Sequence, residues 1–224
     1  VENLTFRPEF EEGGVNPTNG QIYIKRPFQP EYERLAGLEL SLDVCREFVK
    51  RCGAQGVIPM TTCFCTEHAD ILADIGFREI KVASYDCASP YLLEALKGKY
   101  QHIYVSTGAT FDREVEQAAT ILQDNFSMLH CVTRYPTPIE HLNLNRINWL
   151  KKFTDKVGYS DHSKTEEVGI FPACAAIFAG ASIVERHFTV LEATQTRDGP
   201  VSVTPDQVAD IIAFAHMSRD DQKA

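Results

Sequence analysis

The sequence predicts an α/β fold, a parallel sheet covered by helices, and three observations predict it. Short apolar runs recur through the chain after residue 55. Each is followed by a segment whose apolar residues repeat at helical spacing, and the pattern returns every ~20 to 30 residues, the length of a strand–helix–strand unit. Near-continuous apolar strands alternating with helices are the mark of a sheet buried on both faces.

The strands are read in order as Gly56–Met60, Glu79–Ala83, His102–Val105, Ser127–Val132, Val157–Tyr159 and Ser182–Glu185, six in all. A leading helix is expected at about Leu42 to Cys52. Helical spacing is carried by Val115, Ala118, Ala119 and Leu122, and again by Leu142, Leu144, Ile147 and Leu150. Start signals precede three helices: Ser89-Pro90, Asp112, and Thr204-Pro205-Asp206. Residues 1–40 differ, being rich in Pro, Gly, Asn and Glu, with Gln21–Ile24 as their one strand-like run. They are expected to form an irregular arm, leaving residues 41–224 as the catalytic domain. Alternation fits a closed (β/α) barrel or an open doubly wound sheet, and spacing does not separate the two.

Composition bounds the function. The 224 residues suffice for one sizeable domain, and 44% hydrophobic with 24% charged residues is an ordinary globular mixture. The net charge of -9 and the shortness of basic runs such as Lys151-Lys152 argue against a nucleic-acid partner. No apolar stretch reaches the ~20 residues that cross a bilayer, so no membrane partner is expected. Seven cysteines, mostly within apolar runs, read as reduced thiols of a cytoplasmic protein. Cys63-Phe-Cys65 is too tight for the usual zinc spacing.

In α/β sheets the ligand site lies at the carboxyl ends of the strands. Five consecutive strands end in polar groups: Ser84-Tyr85-Asp86, Ser106-Thr107-Gly108, Thr133-Arg134-Tyr135-Pro136, Ser160-Asp161-His162-Ser163 and Arg186-His187-Phe188-Thr189. Singly, each is explained by helix capping; together they fit one polar pocket. A lone histidine is more often a hydrogen-bonded core residue than a ligand. His162 and His187, each just past a strand end, can instead face one ion. Two imidazoles with water or substrate oxygens suit Mn, Fe, Co or Zn, and an all-oxygen shell suits Mg. Lys81 stands in an otherwise apolar strand, where a buried ammonium needs a carboxylate or a phosphate ligand. Its structural alternative is an ion pair with Glu79 or Glu185. Asp86 fits either a proton acceptor or a cap for the helix near Pro90.

Taken together, these segments resemble the N-acetylneuraminate (sialic acid) synthase family. The resemblance rests on Lys81-Val-Ala-Ser84-Tyr-Asp86, Val105-Ser106-Thr107-Gly108, Leu129-His130-Cys131 leading to Tyr135-Pro-Thr-Pro138, Gly158-Tyr-Ser-Asp-His-Ser163, Val184-Glu-Arg-His-Phe-Thr189 and Arg197-Asp198-Gly199. It implies a TIM-type (β/α) barrel, incomplete at about six parallel strands. The family's opening strands, one ending in Asn-His and one carrying Lys-Phe-Gln, have no counterpart here, nor has its C-terminal antifreeze-like domain. The implied activity is metal-assisted condensation of phosphoenolpyruvate with an N-acylated hexose aldehyde, forming a nonulosonic acid and phosphate. By that resemblance His162 and His187 hold a divalent metal, usually Mn²⁺, and act in catalysis with Asp86. Lys81, Ser84, Ser106 and Ser160 line the phosphoenolpyruvate site, while Tyr135 and Asp198 lie near the sugar. Asp86 is one methylene shorter than the family's glutamate, and Gly199 replaces a common histidine. The expected partners are these small molecules and a second copy of the chain. Two other readings stay open: an incomplete relative or fragment that binds metal or sugar without turnover, and a metal-dependent hydrolase or aldolase, which would need a third protein ligand.

Overall fold

The computed structural model describes residues 14–15, 22–23 and 28–223. The chain forms two compact units, Val1–Gly56 and Val57–Ala224.

In the first unit, β1 (Gly14–Val15) pairs antiparallel with β2 (Ile22–Tyr23), inside the expected run Gln21–Ile24. Helix α1 (Phe28–Ala36) comes next, then α2 (Leu42–Ala54), whose Ser41 hydroxyl accepts from the Val44 amide at 3.3 Å. The helix α1 corrects the expectation of a wholly irregular arm. Its proline, Pro30, lies in the first turn, where no intrahelical partner is lost, so proline content alone was a poor guide. Residues 1–13, 16–21 and 24–27 of that arm lie outside the described residues. The boundary between the units falls at Gly56, in the turn that closes α2.

The second unit is a parallel sheet of seven strands in sequential order: β3 (Met60–Thr62), β4 (Glu79–Val82), β5 (His102–Ser106), β6 (Phe126–Cys131), β7 (Val157–Asp161), β8 (Ile183–Phe188) and β9 (Ser202–Val203). Between them run α3 (His68–Ile75), α4 (Pro90–Leu96), α5 (Asp112–Leu122), α6 (Arg146–Leu150), α7 (Thr165–Val168) and α8 (Phe171–Phe178), and α9 (Pro205–His216) closes the order. Sequential parallel strands exclude the doubly wound order. Curvature is required by one contact. Strands β4 and β8 stand four places apart, which in a flat sheet is about 19 Å. Yet Lys81 Nζ of β4 lies 3.3 Å from Glu185 Oε2 of β8. The sheet is therefore rolled into a barrel wall, and the two side chains meet across its lumen.

Alternation then sorts the side chains. Ile80, Val82, Val105 and Met128 face the helices, fully buried against residues such as Leu93, Leu96, Val115, Ala118, Ile147 and Leu150. Each such side chain contributes about 1.5–3 kcal/mol. The other parity, Glu79, Lys81, His102, Tyr104, Ser106, Ser127 and Ser160, turns polar groups toward the lumen. The seven thiols are free.

Three sequence expectations need correction. The first barrel strand lies further along than Gly56–Met60: Val57 and Ile58 are exposed, and only Met60–Thr62 finds the ladder of Glu79–Lys81. A seventh strand, β9, was not expected, because two residues in a polar loop carry no period. The helix expected from Leu142 is broken, since Asn143 takes a left-handed φ of 49° and the α-helix begins only at Arg146.

Candidate active site

The carboxyl ends of β4 to β8 bring the expected residues to one mouth. Lys81 is buried, and its ammonium donates to Ser106 Oγ at 2.7 Å and to the Val82 carbonyl at 3.2 Å. With Glu185 Oε2 beside it, this cation is satisfied within the protein; Glu185, not Glu79, is its carboxylate. Glu79 instead accepts from the Tyr104 hydroxyl at 2.7 Å. Ser84 opens a 3-10 turn (Ser84–Ala88), and its Oγ accepts from the Gly108 amide at 3.2 Å. A Cβ on Gly108 would sit 2.5 Å from Thr133 Oγ1 and 3.0 Å from Cys131, so only glycine lets the loop after β5 lie against β6. Ser160 is buried on β7. Burial pushes the Cys131 thiol up in pKa, against hydrogen bonding by Ser84 and Ser160 and the nearness of Lys81. Asp86, half-buried in the same turn as Ser84, has its carboxyl raised by burial and finds no hydrogen-bond partner among the described residues.

The imidazole pair lies on the far side of the mouth. The rings of His162 and His187 stand 5.3 Å apart between centroids. Tyr135 touches both: its ring is 3.9 Å from that of His162 and edge-on at 5.7 Å to that of His187. Its hydroxyl lies 2.6 Å from His162 Nε2. His162 Nδ1 is 3.3 Å from the Val132 carbonyl, which assigns the ring proton to Nδ1 and leaves the Nε2 lone pair toward Tyr135. Burial, then the neighbouring His187, holds His162 down at about 4, so its ring is neutral near pH 7. His187 Nδ1 lies 3.5 Å from Asp198 Oδ2.

The donor chemistry fits a divalent cation of the manganese–zinc series. A neutral imidazole with its proton directed at a carbonyl is the ligand form, as in most histidine metal sites. No group of three or more His, Cys, Asp or Glu able to hold a metal occurs among the described residues. Water or substrate oxygens would complete the shell, and the hydrolase expectation of a third protein ligand finds no residue.

Sequence reasoning gave Glu185 only as a partner for Lys81. Strand period shows more: it stands two residues before His187, on the same face. Asp161 and Arg186 were passed over because each read as a neighbour of a histidine. Two cavities among the described residues lie away from this mouth. One of about 460 Å³ sits at the amino ends of the strands, lined by Glu79, His102, Tyr104, Ser127 and Lys156. The other, about 510 Å³, lies behind β8 against α8 and α9. Barrel chemistry assigns function to the carboxyl ends, where the convergent polar groups are.

A sequentially wound parallel barrel wall with an imidazole pair and a buried lysine at its carboxyl end defines a class of (β/α)-barrel proteins with a polar, metal-compatible mouth. The chain belongs to the NeuB family, whose sequence profile matches residues 16–221. It is 30% identical over 188 residues to the N,N'-diacetyllegionaminic acid synthase of Campylobacter jejuni, covering 80% of this chain and 55% of that one. The human N-acetylneuraminate-9-phosphate synthase is 29% identical over 202 residues, covering 84% and 55%. The crystal structure of N-acetylneuraminic acid (sialic acid) synthetase from Leptospira borgpetersenii, in complex with citrate, superposes with a TM-score of 0.79 at 28% identity, covering 88% of this chain and 69% of that one. The chain thus spans about half the length of the curated relatives it matches. No helix among the described residues is long and apolar enough to cross a membrane.

Proposed function

We propose that this chain carries the barrel site of a phosphoenolpyruvate-dependent synthase that condenses an N-acylated hexose aldehyde into a nonulosonic acid, releasing phosphate. One observation carries the reading: a buried cation, three serine hydroxyls and two imidazoles converge on a single mouth. The relatives, acid synthases of this sugar class, support it.

Lys81, with the hydroxyls of Ser84, Ser106 and Ser160, binds the phosphate and carboxylate of phosphoenolpyruvate. Glu185 and Ser106 hold the Lys81 side chain in place before the anion arrives. His162 and His187 would hold a divalent cation, Mn²⁺ in our reading, which supplies Lewis-acid polarisation of the aldehyde carbonyl. Tyr135 and Asp198 flank that pair and bind the sugar hydroxyls. Carbon 3 of phosphoenolpyruvate bonds to the aldehyde carbon, whose oxygen takes the carbonyl electron pair and then a proton. Water adds at carbon 2 and gives its proton to Asp86, whose raised carboxyl makes it a better base than a solvated aspartate. The new C2 hydroxyl then becomes the ketone as the C2–O bond breaks, the bridging oxygen and the hydroxyl proton leaving with phosphate. The proton taken by Asp86 balances the one gained by the aldehyde oxygen. A second copy of the chain is the protein partner in this reading, and the cytoplasm its compartment.

Coupled phosphate release tests the reading. The expected result is release only when phosphoenolpyruvate, a divalent cation and an N-acylated hexose are all present. Release without a sugar, or no release across a panel of such sugars with metal bound, would overturn it, and the latter would leave a metal- or sugar-binding relative without turnover.

A further inference from the structure

On the largely apolar helix-facing side of the sheet stands a buried ion pair. Asp161, the last residue of β7, and Arg186 of β8 are register partners, one position out of phase with the lumen-facing pair Ser160 and Glu185. Their side chains are 0% and 5% exposed, and Arg186 Nη1 lies 2.5 Å from Asp161 Oδ2. The contact is ionic, without the direction of a hydrogen bond, and Arg186 Nε has no hydrogen-bond partner among the described residues. A guanidinium here borders the cavity walled by Ile177, Val184, Val208, Ile211 and Ile212. An ion pair in such surroundings is no better for stability than apolar residues of the same size, because desolvation offsets the attraction. Packing alone therefore does not account for it.

What the pair does is tie one segment to one strand. Asp161 Oδ1 accepts from the Ser163 amide at 2.9 Å. Arg186 Nη1 donates to Ser163 Oγ at 3.2 Å, and Nη2 donates to Thr165 Oγ1 at 2.9 Å. Thr165 Oγ1 in turn donates to the Ser202 carbonyl of β9 at 2.9 Å. On the other side, the Thr137 amide donates to the His162 carbonyl at 2.8 Å. Residues 161–165, which carry His162, are thus strapped to the strand that carries His187. Each imidazole is the next residue in sequence after a member of the pair.

We infer that Asp161 and Arg186 are positioning residues that set the spacing of His162 and His187 for a divalent cation. The inference rests on the proposed metal role of the two histidines. Arg186 serves this better than lysine, because a planar fork reaches Asp161, Ser163 and Thr165 at once.

The test is Mn²⁺ titration of the full chain, read by the loss of the free-ion electron paramagnetic resonance signal, beside a thermal melt of each metal-free variant. Arg186→Lys keeps the charge and loses the fork. Asp161→Asn with Arg186→Met keeps an acceptor for the Ser163 amide and removes the buried charges together, which preserves a cooperative melt. The expected loss of Mn²⁺ affinity is about 10- to 100-fold in the double variant, the usual cost of removing an orienting partner, and smaller in Arg186→Lys. A melting temperature that falls without loss of affinity would reduce the pair to a structural role and overturn the inference. Wild-type chain that takes up no Mn²⁺ would overturn the metal reading itself, and this inference with it. The two failures are therefore distinct.

Discussion

The two ends of one inner barrel face use similar residues to opposite effect. At the amino end, His102 Nε2 meets Ser127 Oγ at 2.6 Å, and the Tyr104 hydroxyl donates to Glu79 at 2.7 Å. These groups satisfy one another within the sheet, as buried polar groups must. At the carboxyl end Asp86 has no partner among the described residues, His187 meets Asp198 only at 3.5 Å, and Tyr135 and Asp198 remain about half-exposed. The difference lies in the loops at the carboxyl end. There the Tyr135 hydroxyl and His162 pair with each other at 2.6 Å, while the carboxylates of Asp86 and Asp198 leave acceptors for something else. Polar character alone does not mark a site; unspent hydrogen-bonding capacity does.

Substitutions at the mouth carry the largest expected effects. Replacing both His162 and His187 by Ala is expected to abolish stoichiometric Mn²⁺ binding, checked by calorimetric titration, while the thermal melt stays cooperative. Asp86→Asn is expected to lower turnover by about 10²- to 10⁴-fold with little change in substrate affinity, since an amide takes no proton from water. Lys81→Ala should weaken phosphoenolpyruvate binding by roughly 1.5–3 kcal/mol, the worth of a charged hydrogen bond. Binding measured by tryptophan fluorescence or calorimetry checks this, and unchanged affinity would return Lys81 to the role of an internal partner for Glu185.

Substitutions at the amino end have smaller expected effects. Tyr104→Phe is expected to cost about 1 kcal/mol of stability in urea unfolding, and to leave Mn²⁺ and substrate affinities unchanged. A pH effect belongs to the other, helix-facing side of the sheet. His130, buried with Nε2 at 2.7 Å from the Leu142 carbonyl, has its pKa lowered, first by burial. Its folded pKa lies below the ordinary 6.5, so the unfolded chain takes the proton first as pH falls. Stability from this group is full above about 6.5 and declines below it. Melting temperatures between pH 7.5 and 5.5 should fall, and His130→Gln should flatten that fall.

Much of this was legible in the sequence where a period could speak. Strands β4 to β8 emerge from apolar runs, and Ser84, Ser106, Tyr135, Ser160, His162 and His187 from standing at or just past strand ends. Elements without a period escaped: β9 is two residues long, α1 hides a proline in its first turn, and Asn143 interrupts a helix by a backbone angle that its neighbours do not announce. The partner of Lys81 was readable only as a choice between two glutamates. Alternation puts both on the inner face, and only the roll of the sheet decides that β8 supplies the carboxylate. Asp161 and Arg186 were harder still, because a buried ion pair on the helix side runs against the apolar pattern that otherwise identifies that face.

In the proposed reaction the mouth joins carbon 3 of phosphoenolpyruvate to an aldehyde while water displaces phosphate at carbon 2. The most direct measurement uses phosphoenolpyruvate with ¹⁸O in its bridging position, an N-acylated hexose and Mn²⁺, with mass spectrometry of both products. The expected result is the label in the released phosphate and an unlabelled ketoacid. Label retained at carbon 2 of the acid would mean that the P–O bond breaks instead, and would contradict it.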